Sequence, residues 1–246
     1  MLFRSLMFAG SLALGGTIGE STIKAFASSY GNIGFMGPGL ALVALGEEAA
    51  VPVALIFCFE NVMHFALAPT LLALSGERQA SGARLVGEIT RKIILHPFVI
   101  ASLLGVLAAT FHFRAPVALD RMLELVSRAA APCALFAMGV TLALRPLRRV
   151  PPALGPIVVF KLILHPLLCY LSLSVLGHFP PTWVWAAVLL ASLPSATNVY
   201  VIAQQFGVWV ERASASILVT TVVSVASVAG ILYLIRSGFL PPDLFP

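Results

Sequence analysis

Apolar runs long enough to cross a lipid bilayer recur along this whole sequence, and they constrain its fold more than any other feature. A hydrocarbon core about 30 Å thick takes roughly 20 helical residues. Cutting the chain at polar and Pro/Gly clusters gives eight runs, at 2–19, 22–46, 50–74, 93–112, 122–144, 155–177, 183–207 and 213–236. Of the 246 residues, 59% are hydrophobic and only 10% are charged, against about 25% charged in soluble domains. A soluble fold of this length cannot hide so much apolar side chain. The chain therefore reads as an all-α integral membrane protein with about eight transmembrane helices. The net charge of +5 follows from the positive-inside rule and calls for no nucleic-acid partner. Cys58, Cys133 and Cys169 lie in apolar runs without ligand spacing, so they read as small core residues, and no metal site is expected. Arg4, the apolar run to Leu14 and the small residues after it have the outline of a signal peptide. With so many spans following, a first or truncated helix is the simpler reading.

Lys and Arg set the orientation. Nine fall on one side (Lys24, Arg78, Arg84, Arg91, Lys92, Arg145, Arg148, Arg149, Arg212) and five on the other (Arg4, Arg114, Arg121, Arg128, Arg236), with Lys161 inside a span. This puts the long polar loop 75–92 in the cytoplasm and both termini outside. The loop also divides the chain into two halves that look related. The second span is interrupted within "GNIGFMGPGL" at Gly37-Pro38-Gly39, and the seventh within "ASLPSATNVYVIA" around Pro194. Each interruption leads to an apolar half-helix, a glycine (Gly46, Gly207) that reads as a helix C-cap, and one further span. Three spans precede the loop and five follow it, so an inverted repeat would be two spans short at its start.

Breaking a helix inside hydrocarbon is costly, because every backbone N–H and C=O must find a partner within the protein or at a wet cavity. Pro38 and Pro194 each remove a donor. A broken helix offers bare N–H groups and bare carbonyls at mid-membrane, and two such breaks at matching places point to the substrate site of a secondary transporter. A half-helix N-terminus favours an anion by about 0.3–1 kcal/mol, and up to ~2 when partly buried. The candidate substrate-binding residues are Asn32, Gly37, Pro38, Gly39, Pro194, Ser195, Thr197 and Asn198. The two asparagines can equally cap the helix ends, and the two roles are compatible.

Four residues are candidates for coupling transport to a proton or a cation such as sodium. Glu60 and His64 sit at i, i+4 near the middle of the third span, where a charge costs ~2.5–3.5 kcal/mol. They can pass a proton, or they can form a neutral hydrogen bond that locks two helices. Glu60 with neighbouring Asn61 can also coordinate a cation. Lys161 lies about two turns into its span; its ordinary reading is a side chain snorkelling to the interface, and its functional one is attraction of an anion or neutralisation of a carboxylate. It stands in "FKLILHPL" (160–167), which echoes "RKIILHPF" (91–98); the ordinary reading there is a Pro kink.

"YGNIGFMGPGLALVALGEEA", "APCALFAMGVTLAL" and "ASLPSATNVYVIAQQFG" resemble the fourth, seventh and ninth helices of the auxin efflux carrier family, and the bacterial malonate-type permeases most of all. That resemblance implies ten helices in an inverted five-plus-five repeat with two discontinuous helices crossing at the midplane, and so a chain here without the first two helices. It implies a transport domain moving like an elevator against a scaffold, a homodimer in the cytoplasmic (inner) membrane, and organic-anion substrates such as malonate, malate or auxin. By the same resemblance Asn32 is the substrate-contacting asparagine of the first crossover, and Pro194 and Asn198 belong to the second. Residues 1–74 become first-repeat helices of the transport domain, 75–92 the cytoplasmic loop, 93–150 scaffold and dimerisation helices, and 151–246 second-repeat helices. The family's Gly-x-Pro-Leu reads Gly37-Pro38-Gly39-Leu40 here, with the proline shifted by one.

Other classes fit less well. An enzyme needs clustered catalytic groups, and the sequence has no HExxH, no GxSxG, no P-loop and only two Asp (Asp120, Asp243), so neither catalysis nor a resident cofactor is expected. A sodium-coupled carrier of the same crossed-helix architecture, like a bile-acid symporter or sodium–proton antiporter, would draw its cation ligands from Glu60, Asn61, Asn32 and Asn198. A shortened, non-transporting paralogue is the remaining alternative.

Overall fold

The computed structural model describes residues 2–74, 87, 91, 95, 97–143 and 154–244. Among these the chain is helical: α1 (Leu2–Ala13), α2 (Ile18–Ser29), α3 (Ile33–Leu45), α4 (Ala50–Leu74), α5 (Pro97–Thr110), α6 (Val117–Ala143), α7 (Leu154–Leu176), α8 (Pro181–Ser192), α9 (Thr197–Phe206) and α10 (Val210–Arg236). The loop expected at 75–92 and the basic cluster at 145–149 fall almost entirely outside the described residues, as does most of the 91–98 echo.

Helices α7 and α10, with 23 and 27 residues, are each long and apolar enough to cross a membrane. α4 has 25 residues, the length for a crossing at about 1.5 Å per residue. α1 is shorter than the expected span 2–19 and ends at Ala13. Gly15 turns the chain at φ 84, and Thr17 starts α2 by accepting the Glu20 N–H on its hydroxyl. A 2.9 Å bond from Ser21 to Ser11 ties the two helices together.

The pairs α2/α3 and α8/α9 are the two interrupted segments. Gly46 (φ 87) and Gly207 (φ 72) cap the second half-helices in backbone conformations that suit glycine. The first interruption, however, is not at Gly37-Pro38-Gly39. Pro38 lies inside α3, and the chain leaves the helix at Tyr30-Gly31-Asn32. Pro38 costs α3 one N–H bond, the one Gly34 would have accepted, and a short helix packed on its neighbours tolerates that loss. Gly37 serves packing instead: a Cβ there would come within 2.8 Å of the Leu190 side chain. The second interruption lies where expected, at 193–196. Leu193 is extended (φ −63, ψ 151), as a residue before proline prefers, and Pro194 has no N–H with which to continue α8.

Two apolar clusters flank the interruptions. One joins α2, α4, α7 and α9 through Ile23, Phe26, Leu72, Ile157 and Val199. The other joins α3, α4, α8 and α10 through Ile33, Val53, Phe57, Leu189, Leu190 and Val228.

Candidate functional site

The two interruptions meet. Gly31 and Ser195 form an antiparallel β-bridge, closed by Asn32 N–H to the Pro194 carbonyl (2.8 Å) and Ala196 N–H to the Tyr30 carbonyl (2.9 Å). Gly31 and Ser195 are the non-hydrogen-bonded pair of this small ladder, so their own N–H groups face away from each other. Both find side chains on the long helices. Ser195 N–H donates to Thr220 Oγ1 of α10 at 3.1 Å, and Gly31 N–H donates to the Glu60 carboxylate of α4. Each break thus passes its central amide to a polar residue in the span that follows it, which is how backbone polar groups survive inside hydrocarbon. Gly31 must be small, because a Cβ would stand 3.1 Å from the Leu190 carbonyl.

Beside the bridge lies a cavity of about 290 Å³, lined by Tyr30 to Phe35, Phe57, Glu60, Asn61, Ala196, Thr197 and Asn198. Tyr30 organises its polar wall. Its hydroxyl donates to Asn61 Oδ1 (2.9 Å) and accepts from Asn198 Nδ2 (2.8 Å), linking α2, α4 and α9. Asn61 also donates to the Phe57 carbonyl one turn earlier (3.0 Å), which fixes its amide. The N-termini of α3 and α9 both open onto this cavity. Polar amides, a hydroxyl, a carboxyl group and two helix N-termini in one enclosed space can bind a small polar solute and handle a proton.

The candidate residues divide by position. Asn32, Thr197 and Asn198 line the cavity, with Glu60 and Asn61 opposite. Asn32 occupies the N-cap position of α3 but makes no side-chain capping bond. Pro194 and Ser195 build the bridge instead, and the Ser195 hydroxyl donates to the Ala27 carbonyl near the end of α2. Gly37, Pro38 and Gly39 lie in α3, away from the cavity lining.

His64 is buried one turn from Glu60, its ring stacked on Tyr30 at 3.6 Å. Its Nδ1 is 2.5 Å from the Glu60 backbone carbonyl, and its Nε2 is 2.7 Å from an Arg4 guanidinium nitrogen. Arginine can only donate, so Nε2 accepts and the proton sits on Nδ1. The Glu60 carboxylate is 4.0 Å from Nε2, beyond a hydrogen bond. In this arrangement arginine rather than Glu60 is the ring's side-chain partner.

Lys161 does not snorkel. It is fully buried, and its Nζ donates to the Ala191 carbonyl at 2.7 Å.

Three participants were not singled out from the sequence. Arg4 reaches inward from α1, with its guanidinium 4.7 Å from the Phe26 ring centroid and its Nε on Ser29 Oγ at 3.2 Å. Its place in the first residues reads as a flanking charge. Tyr30 had the signal of standing immediately before the break. His165 had the repeated His-Pro motif, and its Nδ1 lies 3.1 Å from both Lys161 Nζ and the Ala191 carbonyl.

Comparison with known proteins identifies the family. A family model described as "Membrane transport protein" matches residues 73–232. A protein of Rhizobium meliloti (strain 1021) named "Putative malonate transporter" is 59% identical over 243 residues, covering 98% of this chain and 76% of that protein. With the family model spanning more than half of the sequence and so similar a relative along nearly all of it, the chain belongs to the membrane transport protein family, that of the auxin efflux carriers.

Proposed function

We propose that this protein is a secondary transporter of small organic anions, mono- or dicarboxylates of the malonate class, and that the cavity beside the Gly31–Ser195 bridge is its substrate site. The observation that carries this reading is the meeting of the two interruptions around a polar cavity. The name of the Rhizobium relative supports malonate as the first substrate to test.

In this reading Asn198 and Asn32 contact the solute, and the amides at the starts of α3 and α9 carry its negative charge. Among the described residues no arginine lines this cavity, so helix ends and amides do the work of a cationic clamp. Glu60 is the coupling group. With its proton it can share the cavity with an anion; without it the two negative charges repel. The protein works as a homodimer in the cytoplasmic membrane, with loop 75–92 inside, and substrate crosses as the crossed half-helices move against a scaffold formed by 93–150. Proton or sodium coupling is separated by uptake in a pH gradient against a sodium gradient.

The test is uptake of radiolabelled malonate, malate and a monocarboxylate into proteoliposomes holding the purified protein. Saturable uptake of a carboxylate, lost in Asn198→Leu, is the expected result. Absence of uptake for all three, in vesicles with correctly inserted protein, refutes the reading.

A further inference from the structure

The Lys161 side chain is fully buried beside the end of α8. A buried cation in a membrane span is expensive, and the chain works to place it. Pro166 has no N–H to give to Leu162, and the helix responds by widening. Phe160–Leu164 is a π-helical segment, closed by His165 N–H to the Phe160 carbonyl. One extra residue per turn changes which way the side chains before it face, and Lys161 faces the break.

What it meets there is an acceptor the break has stranded. In an unbroken helix the Ala191 carbonyl would take the N–H of Ser195. That N–H goes instead to Thr220 Oγ1, and Lys161 Nζ takes the carbonyl at 2.7 Å. A cation at the carbonyl end of a half-helix also opposes the charge of its dipole. Gly31 then connects Lys161 to the cavity. A Cβ on Gly31 would come 3.6 Å from Nζ, while the Gly31 N–H holds the Glu60 carboxylate. Gly31 thus neighbours both the buried lysine and the half-buried Glu60.

We propose that Lys161 is a positioning residue of the crossover: it closes the carbonyl end of α8 and, while Glu60 is ionised, counters its charge beside Gly31, so that the bridge keeps its geometry through both protonation states of Glu60. Its effect on transport rests on the function proposed above, whereas its effect on the bridge does not.

The test uses the full-length protein with Lys161→Met, Lys161→Arg and Glu60→Gln, singly and with Lys161→Met/Glu60→Gln combined. Hydrogen exchange by mass spectrometry reads the bridge, and proteoliposome uptake of malonate reads KM and kcat. Lys161→Met is expected to speed exchange across residues 190–198 by about tenfold, with little change across 210–236. It should raise KM about tenfold while leaving kcat within about threefold, since preorganisation of the site is what is lost. Lys161→Arg should restore both. Adding Glu60→Gln to Lys161→Met should recover part of the lost protection, a non-additivity that a packing role cannot give.

Unchanged exchange across 190–198 in Lys161→Met, failure of arginine to rescue, or additive effects with Glu60→Gln would each overturn the proposal. If Lys161→Met does not insert, Lys161→Leu, which likewise lacks both the donor and the charge, is judged by the same outcomes. If the unmodified protein takes up no carboxylate, the transport reading falls while the exchange result still decides the role of Lys161.

Discussion

Replacing Tyr30 by phenylalanine removes one oxygen atom from the crossover, and the surroundings of that atom say where the cost falls. The hydroxyl serves Asn61 Oδ1 at 2.9 Å and Asn198 Nδ2 at 2.8 Å. The ring stays, with its stacking on His64 and its place in the core. Asn198 lines the cavity, so water can replace its lost bond. Asn61 borders the same cavity but is only 4% exposed, so its Oδ1 is far less open to a replacement water than the Asn198 amide. An unsatisfied buried acceptor costs about 1–3 kcal/mol. At about 2–4 °C per kcal/mol for a chain of this size, Tm should fall by roughly 2–12 °C. The assay is thermal unfolding in detergent for Tyr30→Phe, Asn61→Leu and the double variant. With the Asn61 acceptor already gone, removing the hydroxyl should cost less, giving a coupling of about 0.5–3 kcal/mol. An unchanged Tm, or energies that add to within about 0.5 kcal/mol, would refute the claim that this hydroxyl joins α2 to α4.

Asn198→Leu should abolish carboxylate uptake while the protein still inserts and elutes as a single species, because its amide faces the cavity rather than a core; undiminished uptake would remove it from the site. Glu60→Gln should flatten the pH profile of uptake, since Glu60 is the one carboxyl group lining the cavity among the described residues; a profile identical to that of the unmodified protein would take Glu60 out of coupling. Pro38→Ala should leave uptake and insertion intact, because the chain breaks six residues earlier and α3 merely regains a backbone bond. Loss of uptake in that variant would show that the proline itself, and not the bridge, shapes the crossover.

The same residues show how far the sequence could be read. Helix limits at 50–74 and at the end of α10 were legible because long apolar runs with few charges leave only one backbone solution in lipid. The second interruption was legible because Pro194 is both the chemical cause of the break and its location. The first was misplaced because Pro38 is the loudest local signal, whereas the break is held by a partner segment. Tyr30 and Asn198 are 168 residues apart, and no local pattern pairs them. Lys161 looked like a snorkelling side chain for the same reason: the stranded Ala191 carbonyl exists only once α8 has ended where it does.

By itself the sequence determined the solvent, the helical class and the existence of two interrupted spans, because the bilayer acts on each segment separately and demands that its backbone be satisfied. Tertiary structure alone decided where the first span opens, which side chains inherit the freed amides, and that Arg4, Tyr30, Glu60 and Lys161 gather around one bridge. Those outcomes rest on contacts between distant residues, and such contacts form only when the two halves pack against each other.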